Sequence, residues 1–204
     1  MTEQLAVIYL NTTNHVLAAV QQSATTPTLA TVIGSGGLHV AGVRGVLAPN
    51  VAGYGAATSQ EERFVIPTAE LSMRALAADR DAIIQPHAFI VDTTTLAKLP
   101  SPGGYRDVSI GLTQTHVQIG STDPVNPGSL SFATDTQVFI QVEGPTPGDR
   151  RVMRGTFPAG QTQLFKFALT VEPGGPQAPI AIHQRYFILV MIEGKSPDAR
   201  TVTL

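Results

Sequence analysis

Chemistry in this chain must come from histidines, carboxylates, hydroxyls and basic groups. Cysteine is absent, which removes thiol nucleophiles, disulfides and zinc thiolates together. The five histidines, His15, His39, His87, His116 and His183, stand apart from one another. None has a His, Asp or Glu partner two or four residues away, the spacing that sets two ligands on one face of a strand or helix. No metal site is expected. The most phosphate-loop-like feature is Gly34-Ser35-Gly36-Gly37. A phosphate loop needs a helix to follow, opening with Lys and Ser or Thr, because the helix N-terminus and the amine hold the phosphates. Leu38-His39-Val40 follows instead, which is strand-like and has no lysine near it. The glycines therefore read as a hairpin turn.

Other catalytic constellations fail on the same kind of test. Asp92-Thr93-Thr94 resembles the Asp-Thr opening of an aspartic-protease site, but lacks the turn glycine and a second copy to supply the paired carboxylate. Serine hydrolase chemistry needs a Gly-x-Ser-x-Gly elbow, which is absent. No two carboxylates are marked out as a glycosidase pair. There is no Trp, and Tyr54, Tyr105 and Tyr186 are scattered, so no stacking platform for carbohydrate is visible. The expectation is a protein that is not an enzyme and uses no cofactor.

Two features point to contacts with other chains. Arg150, Arg151 and Arg154 make the densest basic patch, at a turn entering a strand, and suit an acidic partner loop. The tail from Lys195 ends in Thr201, Val202, Thr203 and Leu204. It reads first as a disordered end, and its final alternation would let it add a strand to a neighbour's edge.

The elements that position these residues are mostly strands. Nineteen Gly and fifteen Pro punctuate short apolar runs, the pattern of sandwiches and barrels. Leu99-Pro100-Ser101-Pro102-Gly103-Gly104 is the strongest break, dividing a β-rich region over 1–99 from a β-sandwich over 105–194 and a tail over 195–204. In the first half, Leu5–Leu10 and His15–Val20 flank Asn11-Thr12-Thr13-Asn14 as a hairpin. Leu29–Ile33 and Leu38–Val43 read as a second hairpin, Gly42–Gly55 as loop, and Phe64–Ile66 and Ala82–Val91 as strands. Thr68–Asp79 fits a helix by propensity and a strand by alternation, and is the place for the one short helix expected at most.

In the second half the strands are Val108–Leu112, His116–Ile119, Gln137–Val142, Val152–Phe157, Leu164–Val171 and a closing strand from Ile180-Ala181-Ile182 and Arg185–Ile192. Turn clusters lie at Asp123–Gly128, Gly144–Asp149 and Glu172–Pro176. Phe165, Phe167, Leu169 and Val171 should form one apolar face, and Tyr186–Ile192, apolar on both faces, should be central. About six strands in this length suit an immunoglobulin-like antiparallel sandwich without the antibody tryptophan and disulfide. The fold class expected is mainly β.

Composition bounds the function. Charged residues are 14% of the chain against roughly 25% in an ordinary soluble domain. Arg150-Arg151 is the longest basic run, so no nucleic-acid footprint is present. No apolar run approaches the roughly 20 residues of a membrane-spanning helix, and Met1–Leu5 lacks the basic start of a secretory leader. The expected protein is cytoplasmic, or part of a particle released without a signal peptide. Its expected role is that of a structural subunit of a larger assembly: a phage virion, a phage-tail-like contractile injection machine or a shell. Its partners would be other protein subunits, in a homo-oligomer or a hetero-assembly. The alternatives are a small β-sandwich binding module for a protein or small ligand, and an enzyme whose site is assembled from scattered residues.

Overall fold

The computed structural model describes residues 4–22, 27–34, 36–43, 46–49, 62–99, 108–121, 131–146, 149–161 and 164–204. The chain is mainly β, with several antiparallel sheets and, among the described residues, two short α-helices. It divides into two compact units, Met1–Ser101 and Pro102–Leu204.

In the first unit, β1 (Gln4–Leu10) and β2 (Val16–Gln21) form the expected hairpin. Asn14 adopts φ 59°, a left-handed conformation that Asn tolerates better than most residues. Its N–H and the Leu10 N–H close the turn on Leu10 O and His15 O. Strand β1 is central in a sheet ordered β2-β1-β6, where β6 is Leu71–Ala77. Leu5 and Val7 join a cluster with Val16, Ala19, Leu76, Ala82, Phe89 and Val91, while Ala6, Ile8 and Leu10 are equally buried on the other face. Segment 71–77 therefore resolves as strand. Its helix-forming residues yield to a ladder with β1 that runs from Gln4↔Ala77 to Leu10↔Leu71.

Several expectations for this half need correction. Leu29–Ile33 is not a strand but helix α1, started by a capping box in which Thr28 and Thr31 bond each other's backbone N–H. Ala82–Val91 is not one strand. Asp79 caps helix α2 (Arg80–Ile84), Pro86–Ala88 makes a 3-10 turn, and only then does β7 (Phe89–Asp92) begin, paired with β8 (Thr95–Lys98). Two short helices thus replace the single one expected. Part of the supposed loop 42–55 is also ordered: β3 (Leu38–Val43) pairs with β4 (Val46–Pro49) and with β5 (Glu62–Ile66). Residues 50–61 lie outside the described part, as do the Pro/Gly linker at 100–104 and the turn cluster at 123–128.

Among the described residues the second unit holds seven strands: β9 (Val108–Leu112), β10 (His116–Ser121), β11 (Thr136–Glu143), β12 (Arg151–Phe157), β13 (Phe165–Ala168), β14 (Arg185–Ile192) and β15 (Asp198–Thr203). They form two antiparallel sheets, ordered β13-β10-β9 and β12-β11-β14-β15. One core serves both: Val108, Val117, Ile119 and Phe165 from the first sheet pack with Val138, Ile140, Phe157, Ile188 and Val190 from the second. Strand β14 is central, as its two apolar faces require. Phe157 anchors one end, stacked on Phe132 and edge-on to Phe165 and Phe167. Gly155 leaves the room that the Phe167 ring occupies.

The run 164–171 is not one alternating strand. Its regular part ends at Ala168, Leu169 and Thr170 are both buried, and Val171 is 58% exposed. The Leu169 N–H still bonds Thr115 O on the β10 side. Thr170 has turned to the other sheet, accepting from the Val152 N–H at 2.9 Å and donating its hydroxyl to Val152 O at 3.0 Å. Crossing between sheets breaks the period of two. The tail is not a disordered end: Asp198–Thr203 is the edge strand β15 of its own sheet, registered from Arg185↔Thr203 to Val190↔Asp198.

Candidate functional site

The three arginines singled out by sequence do not share one surface. Strand β12 faces its neighbours with a period of two, so Arg151 and Arg154, three positions apart, project to opposite sides. Arg151 is buried and acts as a clamp on a connecting segment: Nε donates to Ala178 O at 2.8 Å and Nη2 to Pro179 O at 3.3 Å. Its Nη1 also donates to Arg150 O at 3.0 Å. Arg150 is half-buried just before the strand and Arg154 is exposed.

The C-terminal candidates are held within their own unit. Thr201 and Thr203 are exposed, while Val202 and Leu204 pack against the shared core. Leu204 N–H donates to Gln184 O at 3.1 Å, and His183 N–H donates to Leu204 O at 2.6 Å. Between these features sits a pair that sequence reading missed. Asp198, almost fully buried, holds Arg200 at 2.7–2.8 Å through both Nη2 and Nε, and Arg200 Nη2 reaches on to Val108 O at 3.1 Å. The strands at one side of the two sheets, β15 and β9, are thereby tied by a charge-assisted bond. The available signal was Asp198-Ala199-Arg200 itself, because residues two apart on a strand share a face.

The remaining candidates resolve into structure. Gly34 (φ 68°) ends helix α1, so the helix precedes the glycine loop rather than following it. At Gly37 (φ 89°) a Cβ would lie 2.5 Å from Ile66 O, which requires glycine whatever the loop does. Thr93 (φ 50°) sits in the β7–β8 turn, where its carbonyl accepts from the Arg74 guanidinium and Asp92 O accepts from the Thr95 hydroxyl at 3.2 Å. His15 is fully buried with Nδ1 2.8 Å from Thr13 Oγ1, and His116 Nδ1 lies 2.9 Å from Thr115 Oγ1. Half-buried His87 has Nδ1 shielded with no hydrogen-bond partner, and desolvation holds its pKa below the ordinary value. Among the described residues no three His, Asp or Glu side chains gather to hold a metal ion. Tyr54 and Tyr105 lie outside the described residues.

No helix among the described residues is long and apolar enough to cross a membrane. Comparison with protein-family models, with curated proteins and with solved structures found no match for this chain. The reading of function therefore rests on the chain's composition and geometry.

Proposed function

We propose that this chain is a non-enzymatic structural subunit of a larger protein assembly, of the phage virion, phage-tail-like injection machine or shell type, and that it works through protein–protein contacts. The observation that carries this reading is a sparsely charged β surface. Charged residues are 14% of the chain and lysine occurs only at 98, 166 and 195, so the strands carry little of the lysine that normally keeps sheet edges from pairing. Thr, Ser, Gln and Asn cost less to desolvate than ions, so such a surface is suited to being covered. The partners are other copies or other protein subunits, in the cytoplasm or in a released particle. Sedimentation velocity and electron microscopy of the full chain test it. Oligomers, rings or filaments that grow with concentration are expected, and a monomer from micromolar to submillimolar concentration would refute it.

A second reading, a β-sandwich binding module, draws on the fold of Pro102–Leu204. Counting its seven strands in order, the first, second and fifth share one sheet, and the third, fourth, sixth and seventh share the other. Read as a sandwich, this order is similar to the immunoglobulin arrangement with the fourth strand moved to the sheet of the third, sixth and seventh. Tyr186 adds to the likeness. It is buried near the start of the sixth strand, and its hydroxyl donates to Ala181 O at 3.0 Å, five residues upstream, as in a tyrosine corner. Such sandwiches serve both as binding modules and as assembly subunits, so this likeness bears on architecture and leaves the sedimentation experiment to separate the roles.

A further inference from the structure

Strand β9 is the outer strand of its sheet, and the phase of its hydrogen bonds can be fixed. The Thr113 N–H donates to His116 O at 2.9 Å, so in the β9–β10 ladder residues 113, 111 and 109 turn their backbone groups toward β10. Val108, Ile110 and Leu112 must turn theirs outward. The bond from Arg200 Nη2 to Val108 O agrees independently with that phase. Among the described residues no strand pairs with this edge, and Ser109, Ile110 and Gly111 are only half-buried.

Apart from the Arg200 guanidinium on Val108 O, the edge lacks the usual guards. Val-Ser-Ile-Gly-Leu has no charge and no proline, and its register to β10 runs without a bulge. The other edges of this unit differ. Strand β15 carries the Asp198–Arg200 ion pair, β12 is joined to Thr170, and β13 carries Lys166. The strand donor expected at the C-terminus is already used within the chain, Asp198–Thr203 lying beside β14.

We infer that β9 is a two-fold contact between copies of this chain, Val108–Leu112 of one copy pairing antiparallel with the same strand of a second. This rests on the reading above that the chain works through protein contacts. With Ile110 on the axis, Val108 opposes Leu112 and Ser109 opposes Gly111, so no charge meets its own copy and apolar side chains meet apolar ones. The outward N–H and C=O groups of Ile110 find partners, the Leu112 N–H shares Val108 O of the other copy with Arg200 Nη2, and two three-stranded sheets become one. Five residues bury far less than the roughly 1,200 Å² of a stable interface. The pairing is accordingly weak alone and gains strength from repetition in an assembly.

Backbone amide exchange on the full chain, followed across concentration, tests this. Protection of the Ile110 and Leu112 amides should rise as the chain self-associates, while that of Gly111, bonded within the sheet, should stay constant. Ile110→Pro removes the outward N–H, and Gly111→Lys sets a charge beside the two-fold axis. Each should weaken self-association by about tenfold or more with little change in melting temperature. Should Ile110→Pro disturb the fold, the lysine variant and the exchange pattern still decide. If the wild type self-associates while Ile110 and Leu112 stay unprotected, the β9 assignment is overturned and the protein-contact reading stands. If the wild type is monomeric throughout, both fall.

Discussion

Gly155→Ala sets two physical effects against each other in sign. On backbone grounds the change should help, since alanine inside a strand is favoured over glycine by roughly 0.5–1 kcal/mol. On packing grounds it should harm. A Cβ at residue 155 would fall 2.4 Å from Cε1 of Phe167 and 3.0 Å from its Cδ1, closer than carbon atoms tolerate. The ring must move, and its edge-on contact with Phe157, centroids 5.7 Å apart, is worth about 0.5–1.5 kcal/mol. Overpacking of this kind costs about 1–3 kcal/mol, and half-buried Phe167 has some room to swing toward solvent. The net expectation is a loss of about 1–2 kcal/mol once the backbone gain is set against the clash. At about 4–8 °C per kcal/mol for a domain near 100 residues, the C-terminal unit should melt measurably lower by calorimetry. Phe167→Leu in the Gly155→Ala background should recover part of the loss, so the double variant should be more stable than the two single costs added together. A rise in melting temperature on Gly155→Ala, or strict additivity of the pair, would refute the packing argument.

Three further outcomes follow from the geometry. Arg151→Ala should cost about 1–3 kcal/mol, because it leaves the carbonyls of Ala178 and Pro179 without their donor, whereas Arg154→Ala should stay within about 0.5 kcal/mol; urea titrations of both variants check the contrast. Burial holds the His87 pKa below 6.5, so its contribution to stability is complete above pH 6.5 and is lost as the pH falls from there through the folded-state value. The fall in melting temperature between neutral and mildly acid pH should therefore be smaller in His87→Gln, and an identical fall in both proteins would refute the assignment. Deleting Ala199–Leu204 should lower the melting temperature of the C-terminal unit, since it removes most of β15 and the Arg200 tie to Val108. An unchanged transition would mean that the strand contributes nothing to the fold.

What the sequence made legible was decided by whether local chemistry and long-range pairing agreed. They agree at Asn11–Asn14, where turn residues separate two apolar runs, and at Tyr186–Ile192, whose apolar character on both faces can only suit a central strand. They part at Leu29–Ile33. Its β-branched Thr31, Val32 and Ile33 favour a strand, while the Thr28–Thr31 capping box starts a helix. At Ala82–Val91 the apolar content concealed two breaks that were present in the letters, the Asp79 cap and Pro86. Segment 71–77 was ambiguous by itself, and its strand state depends on a partner far away in sequence. The arginine cluster was visible as composition, but strand parity separates Arg151 from Arg154. The spacing of Asp198 and Arg200 puts the pair on one face, but its third partner, the Val108 carbonyl, belongs to the other sheet and leaves no local signal.

The placement of β1 has a consequence for how the chain reaches its native state. Hairpin β1–β2 can form from local contacts within microseconds, but the opposite edge of β1 waits for β6, Leu10 for Leu71 and Gln4 for Ala77. Contacts so distant along the chain are slow to find, because the loop-closure entropy is spent before the ladder rewards it. During that interval Leu5-Ala6-Val7-Ile8-Tyr9-Leu10 presents an uncharged, strand-forming edge, the kind of segment that pairs with whatever edge it meets first. On a ribosome the exposure lasts until Leu71–Ala77 has emerged, at about 5–20 residues per second. Yield of folded protein should then be governed by the fate of the N-terminal hairpin during synthesis, and slower expression at lower temperature, or chaperones that shield extended apolar segments, should raise it.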